Sequence, residues 1–172
     1  AWARELPPLH AVLEHPSRVS SIAFSPDSQT LLVGDRDGKA TLWDVATGVS
    51  LGKALDHGAP VFAVAFSPDG GTVATAGQDG AVCLWDAAAE RRLERWAGHQ
   101  KAVTTVAFHP DGQAVATAGA DQVARVWDRT TGRCRYSLPH PHRVRSLVFC
   151  PNRPALVTSC EDGVVRLWDT NT

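Results

Sequence analysis

The stretch from His99 to Asp128 decides the fold. It reads His99-Gln-Lys-Ala-Val, an apolar alternation to Phe108, the turn His-Pro-Asp-Gly, a second alternating run, and a third run ending in Trp127-Asp128. Similar stretches end in three further Trp-Asp pairs, at Trp43, Trp85 and Trp168. The four Trp-Asp pairs are therefore 42, 42 and 41 residues apart. A fixed period of this length indicates a repeat protein in which each repeat is one structural unit.

Short apolar runs joined by Pro, Asp and Gly turns predict an antiparallel, all-β architecture. The segment 87–95 contains Ala and Glu, which favour a helix, but its register with the other repeats predicts a loop followed by a strand at 92–96. Further strands are predicted at 50–55 and 133–138, each after a Trp-Asp pair. The fourth repeat has no such run after it, whereas a comparable run, Leu9 to Leu13, precedes the first repeat.

The repeat resembles the WD40 repeat of β-propellers, from about Leu9 to Asp169. The resemblance implies one propeller unit over residues 1–172, with four-stranded blades that stack because each has two apolar faces. We expect blade 1 at about 16–56, blade 2 at about 58–97, blade 3 at about 100–139, and blade 4 at about 141–170, completed by an N-terminal strand at about 9–14.

Each repeat also carries polar residues in register, which the resemblance assigns to a buried hydrogen-bond chain from Asp through His and Thr to the Trp indole. The expected sets are His57, Thr75, Asp79 and Trp85; His99, Thr117, Asp121 and Trp127; His140, Thr158, Asp162 and Trp168; and, in blade 1, His15, Asp37 and Trp43. Val33 stands in blade 1 where the other blades have Thr. A catalytic triad needs one copy of its residues, so repetition in register favours a structural role over catalysis.

The four repeats are compatible with three kinds of ring. Two chains can form an eight-bladed ring, each donating its N-terminal strand to the last blade of the other, and this is the closure we favour. The alternatives are a closed four-bladed ring and part of a larger propeller. Residues 1–90 carry 5 Lys/Arg and 11 Asp/Glu, and residues 91–172 carry 12 and 7, so the acidic and basic halves of two copies would attract each other.

Composition restricts the function. The net charge of −1 argues against nucleic-acid binding, and the sequence contains no apolar run long enough for a membrane span. The four cysteines show no metal-binding spacing, so we expect no metal, no cofactor and a cytoplasmic location. Because the sequence has no Met, we expect it to be cut from a longer protein.

The function we expect is a non-catalytic scaffold that binds a peptide or protein segment at the top face of the propeller, where loops carry variable residues. The candidate contact residues are Arg18, Arg36, Phe62, Gln78, Lys101, Arg143, Arg145 and Glu161. Mixed charge with an aromatic residue is typical of a protein-binding surface. Two alternatives stay open: an architectural half-propeller whose main partner is itself, and a propeller enzyme.

Overall fold

A computed structural model describes residue 9 and residues 11–170. It contains four antiparallel sheets, which we name blades 1 to 4 in chain order. Blade 1 comprises β1 (Val19–Phe24), β2 (Thr30–Asp35), β3 (Lys39–Asp44) and β4 (Ser50–Asp56). Blade 2 comprises β5 (Val61–Phe66), β6 (Thr72–Gly77), β7 (Ala81–Asp86) and β8 (Arg91–Ala97). Blade 3 comprises β9 (Val103–Phe108), β10 (Ala114–Gly119), β11 (Val123–Asp128) and β12 (Cys134–Pro139). Blade 4 comprises β13 (Val144–Phe149), β14 (Ala155–Cys160) and β15 (Val165–Asp169).

Each blade is a meander of neighbouring strands, and its ends are set by the turns. Each first strand begins where the second strand ends, since Val19 pairs with Asp35 and Val61 with Gly77. We name this the upper end of the blades. The lower end carries the Trp-Asp pairs and the Ser-Pro-Asp turns, in which the Ser67 hydroxyl accepts a hydrogen bond of 2.9 Å from the Thr72 N–H.

The blades stack through complementary faces. The face of each blade toward the next one, its trailing face, is rich in small side chains such as Ala74 and Ala116. The opposite, leading face carries larger ones such as Phe108 and Phe149. Three apolar clusters fill the junctions between blades 1 and 2, 2 and 3, and 3 and 4. The burial of these faces is the main stabilising contribution to the stack.

The two end faces of the stack remain open. On the leading face of blade 1, Ile22 and Phe24 are 61% and 57% exposed. On the trailing face of blade 4, Val165 and Leu167 are 67% and 66% exposed. A closed four-bladed ring would bury both faces against each other. The closed four-bladed alternative is therefore wrong for this structure, in which the four blades form an open stack.

The N-terminal segment also differs from the sequence prediction. Residues 11–15 form no strand, and residue 10 lies outside the described part. A Cβ built on Gly48 in blade 1 would lie 3.5 Å from side-chain atoms of both Ala11 and Leu13, so the segment packs on blade 1. Blade 4 lies at the other end of the open stack, and residues 11–15 do not pair with its strands. Among the described residues, blade 4 consequently has three strands.

Candidate functional site

Blade 2 contains all four residues of the expected hydrogen-bond chain, which we call the polar chain. The Trp85 indole N–H donates to Thr75 Oγ1 at 3.0 Å, and Thr75 Oγ1 lies 2.7 Å from His57 Nδ1. The other ring nitrogen of His57, Nε2, lies 3.2 Å from Asp79 Oδ1. Thr75 and His57 are buried, so these bonds satisfy polar groups that water does not reach. This polar chain ties β6, β7 and the loop after β4 of the previous blade together.

Blade 3 forms the same chain with the imidazole turned over. Thr117 Oγ1 lies 2.7 Å from both the Trp127 indole nitrogen and His99 Nε2. His99 Nδ1 lies 3.0 Å from the carboxylate of Asp121. Nδ1 and Nε2 have exchanged partners relative to blade 2, but the order of residues along the polar chain is the same.

In blade 4 the structure brings three of the four residues together. Thr158 Oγ1 accepts from the Trp168 indole at 2.9 Å and lies 2.8 Å from His140 Nε2. His140 Nδ1 donates instead to the carbonyl oxygen of Leu138, at 2.9 Å. The expected hydrogen bond from His140 to Asp162 is not formed.

Blade 1 departs furthest from the expected chain. The His15 ring packs against the Trp43 ring at 5.1 Å between centroids, but His15 Nε2 and the Trp43 indole nitrogen are buried without a hydrogen-bond partner among the described residues. Asp37 is exposed and does not reach His15. Asp35 is 1% exposed and accepts the N–H groups of Asp37 and Lys39, both at 3.0 Å. Alignment of the four repeats pointed to Asp37 and missed Asp35, because blade 2 has a glycine at the position of Asp35.

Arginine side chains extend the polar chain, and sequence reasoning did not identify them. Arg125 donates to Asp121 at 2.8 Å, and Arg166 donates to Asp162 at 2.6 Å, each from the third strand of its blade. Blade 2 has Cys83 at that strand position, and its aspartate is reached from the fourth strand by Arg95. The available signal was an arginine four residues after the turn aspartate in blades 3 and 4.

Burial keeps the three histidines of these chains neutral. It lowers the pKa of His57, His99 and His140 below the ordinary value of 6.5. Burial alone would raise the pKa of Asp79, but hydrogen bonds from the Ala81 N–H and Arg95 outweigh it and lower that pKa. A neutral imidazole offers one donor and one acceptor, which suits a chain from indole N–H to hydroxyl to imidazole to carboxylate. This arrangement holds strands and loops of neighbouring blades together.

The eight candidate contact residues all lie at the upper end, by their positions before or early in first strands or in the turn after second strands. The Arg36 guanidinium carbon lies 4.1 Å from the centroid of the Phe62 ring, so that this pair bridges blades 1 and 2. Arg145 and Glu161 form an ion pair at 2.8 Å within blade 4.

The other four candidates contribute differently. The Arg18 carbonyl accepts the Arg36 N–H at 3.0 Å, and the Arg143 carbonyl accepts the Glu161 N–H at the same distance. These backbone bonds fix the loops of blades 1 and 4. Gln78 and Lys101 are exposed, and among the described residues no side-chain hydrogen bond or ion pair joins either one to the rest of the set.

Other classes of site have little support in the described part of the chain. No group of three or more His, Cys, Asp or Glu side chains there is arranged to hold a metal ion. Within residues 11–170, no helix is long and apolar enough to cross a bilayer. All four cysteines are free thiols, and burial raises the pKa of Cys83, which makes this thiol unreactive.

Comparison with known proteins assigns the family. The model of the family described as WD domain, G-beta repeat matches residues 7–44, 49–86, 90–128 and 132–169. A segment of 45 residues is 49% identical to the WD repeat, SAM and U-box domain-containing protein 1 of Danio rerio, and it spans 25% of this chain and 9% of that protein. Repeats of this family generally mediate protein–protein interactions and are typically non-catalytic. Four family matches over most of the chain, on four blades of antiparallel strands, show that this protein belongs to the WD40 repeat family.

Proposed function

We propose that the chain is a non-catalytic interaction scaffold that binds a peptide or protein segment at the upper end of its blades. The observation that carries the proposal is the surface built there by neighbouring blades. Arg36 and Phe62 come from different blades and lie in direct contact, so they present a guanidinium and an aromatic ring as one rigid feature. Arg and aromatic residues are the types most often found at the energetic centre of protein interfaces.

The charge of this surface favours an acidic or mixed-charge segment. Arg18, Lys101 and Arg145 are exposed there, and Glu161 is the one acidic member of the candidate set. Glu161 forms an ion pair with Arg145, whose side chain is largely exposed. A carboxylate of a partner can therefore compete with Glu161 for Arg145 at little cost. A cytoplasmic location is compatible with the four free thiols.

Selection from a random peptide library, followed by titration of the selected peptides, tests this function. We expect Phe62→Ala and Arg36→Glu to weaken binding of the selected peptides by about tenfold or more, since hot-spot truncations cost on the order of 2 kcal/mol. Lower-end Gln29→Ala is the matched control, because Gln29 is exposed and lies at the opposite end of blade 1. Peptides that bind equally well to all three variants would contradict the upper-end site.

A second candidate role is self-assembly into an eight-bladed ring of two chains. Its support is the open pair of end faces, which continue the same pattern as the buried junctions. Phe24 occupies the register position of Phe66, which packs in the junction of blades 1 and 2 together with Ala23 and Leu42. The residues of blade 4 in register with Ala23 and Leu42 are Val148 and Leu167, both more than half exposed.

Further support comes from blade 4, whose three described strands leave an outer edge that a donated strand would cover. The opposite net charges of the two halves of the chain add a weak attraction. In the assembled ring the N-terminal segment would leave blade 1 and pair with β15 of the other chain.

A charge-pair experiment tests this assembly. We expect Phe24→Glu alone to shift the protein to a smaller species in size-exclusion chromatography, because it places a carboxylate in an apolar junction. Combining it with Leu167→Lys should restore part of the assembly, since each glutamate would then face a lysine. Leu93→Glu, on an outer strand away from both end faces, serves as the control. Identical elution of all variants and the parent protein would contradict the ring.

A further inference from the structure

A cavity of about 560 Å³ lies between blades 1 and 2 at the lower end, opposite the proposed upper-end surface. Its walls include the turn after β1, the start of β2, and the turn after β7. Phe66 forms an apolar wall, and three carboxylate residues, Asp27, Asp69 and Glu90, line the cavity. The cavity therefore combines an aromatic ring with negative charge.

The corresponding place between blades 2 and 3 is filled by one side chain, Arg129. Its Nη2 donates to Thr72 Oγ1 at 2.7 Å, and its Nη1 donates to the Gly112 carbonyl at 3.2 Å. Nη1 also lies 3.5 Å from Asp69 Oδ2, and the guanidinium carbon lies 5.9 Å from the centroid of the Phe108 ring. The repeat thus contains a built site for a guanidinium group.

The junction between blades 1 and 2 keeps the same site without its occupant. Arg129 directly follows a Trp-Asp pair, and Ala87 follows the pair one repeat earlier. Four groups are in register with those that hold Arg129: the carboxylate of Asp27, the hydroxyl of Thr30, the carbonyl of Gly70 and the ring of Phe66. All of these residues line the cavity.

The acceptors in this cavity are available to a ligand. Asp27 Oδ1 accepts from the Ser25 hydroxyl at 2.6 Å and from the Gln29 N–H at 3.0 Å, and these bonds lower the pKa of Asp27 and keep it ionised. Asp27 Oδ2 has no hydrogen-bond partner among the described residues. Phe66 and Thr30 are half-buried, whereas Phe108 and Thr72 beneath Arg129 are buried.

Glu90 closes the outer side of the cavity in an unusual conformation. Its φ is 51°, in the left-handed region, where blades 1 and 3 have Gly48 and Gly132 at the same place. Its carboxylate crosses to blade 1 and accepts a hydrogen bond of 2.9 Å from the Lys53 N–H. A non-glycine residue in this region is strained and is held there by its surroundings. Glu90 thereby fixes a negative charge at the cavity edge.

We propose that the cavity between blades 1 and 2 binds the arginine side chain of a protein partner, held by Asp27, Thr30, the Gly70 carbonyl and Phe66 as Arg129 is held one junction further on. A guanidinium is planar, stays charged and offers several donors in a fixed fork, so it fits these acceptors better than the point charge of lysine does. The inference rests on the proposed function, binding of a protein segment, and adds a second contact at the other end of the blades.

The test uses N-acetyl-arginine-N-methylamide as the probe and the matching lysine compound as its control. Chemical-shift changes of the backbone amides of Gly70, Gly71 and Ala88 report binding at the cavity. We expect saturable shifts with the arginine compound and affinity about tenfold lower with the lysine compound, since the fork of hydrogen bonds is lost. Equal responses to the two compounds, or none to arginine, would overturn the proposal.

Two variants make the test specific to this site. Ala87→Arg should fill the cavity from within the chain and abolish the arginine-induced shifts, while its melting temperature stays at or above that of the parent. Arg129→Ala should open a second site, seen as new arginine-induced shifts at Gly112. Shifts that persist in folded Ala87→Arg would contradict the site, as would an Arg129→Ala protein that responds only as the parent does.

The upper-end variants separate this proposal from the proposed function. Phe62→Ala should leave the response to the arginine compound unchanged, because Phe62 lies at the other end of blade 2. If the arginine compound fails while selected peptides still depend on Phe62, the cavity proposal alone is wrong. If the arginine compound binds while Phe62→Ala has no effect on any selected peptide, the upper-end surface alone is wrong.

Discussion

Val33→Thr tests whether the polar chain of each blade is a structural device. Val33 is buried, and the Trp43 indole N–H and His15 Nε2 are buried without partners among the described residues. In the other three blades a threonine hydroxyl at the same place lies 2.7 to 3.0 Å from the indole and imidazole nitrogens. Threonine has nearly the shape of valine, so the substitution adds the missing hydroxyl with little change in packing.

The expected magnitude follows from the cost of unpaired buried groups. Each buried donor or acceptor without a partner costs about 1–3 kcal/mol, and burying the new hydroxyl costs about 1–3 kcal/mol before its own bonds form. With two unpaired groups satisfied, we expect Val33→Thr to raise the free energy of unfolding by about 1–2 kcal/mol. The sign is decisive, because a hydroxyl placed in an ordinary apolar core destabilises a protein.

Urea denaturation followed by tryptophan fluorescence, at one fixed protein concentration, measures this change. The reverse substitution, Thr117→Val, should lower the free energy of unfolding by about 1–3 kcal/mol. In a Trp43→Phe background the gain from Val33→Thr should shrink, because the indole N–H is absent; the double-mutant cycle gives the difference. Destabilisation by Val33→Thr, or an equal gain with and without Trp43, would refute the reasoning.

Two further predictions concern the same chains and the strained turn. Burial lowers the pKa of His57, His99 and His140, so protons bind preferentially to the unfolded chain below pH 6.5. The contribution of these histidines to the free energy of unfolding is therefore complete above pH 6.5 and is lost as the pH falls below it. The urea midpoint should drop between pH 7 and pH 5. A midpoint that stays constant or rises would contradict this. Glu90→Ala should be less stable than Glu90→Gly by about 1 kcal/mol, because both lose the bond to the Lys53 N–H but only alanine keeps the strain of a positive φ. Thermal melts of the two variants measure the difference, and an alanine variant as stable as the glycine variant would show that the turn is not strained.

The repeat made most of the fold predictable from sequence. Every strand predicted after the first repeat begins is present, including β8, where register with the other repeats correctly outweighed the helix propensity of 87–95. The N-terminal strand was the exception. Its expected partner is an open edge at the far end of the stack, so periodicity cannot show whether the segment reaches an edge or packs on blade 1.

The details of the polar chains were less predictable, because they depend on competition between nearby groups. His140 and Asp162 are aligned with the pairs of blades 2 and 3, but the Leu138 carbonyl takes the histidine and Arg166 takes the aspartate. In blade 1 the buried carboxylate belongs to Asp35. Alignment compares residue types at equal positions and does not reveal which of two adjacent acceptors is closer.

The cavity between blades 1 and 2 had a signal in the sequence that the landmarks of the repeat do not include. The residue after each Trp-Asp pair differs among the repeats: Val45, Ala87, Arg129 and Thr170. Its meaning depends on the structure, which shows that Arg129 crosses to the preceding blade and contacts Asp69 and Thr72. Differences between repeats, more than their shared residues, therefore locate the candidate sites.

The central claim is that apolar blade faces need a stacked neighbour, so that the two open end faces bring two chains together. Its most direct test is the molar mass of the protein in solution. Sedimentation equilibrium at several concentrations gives this mass without assumptions about shape. Because the faces of Phe24 and Leu167 are open in the single chain, the ring of two chains requires a mass twice 18.4 kDa. A single species of 18.4 kDa at all concentrations would contradict it, since both apolar faces would then remain in water.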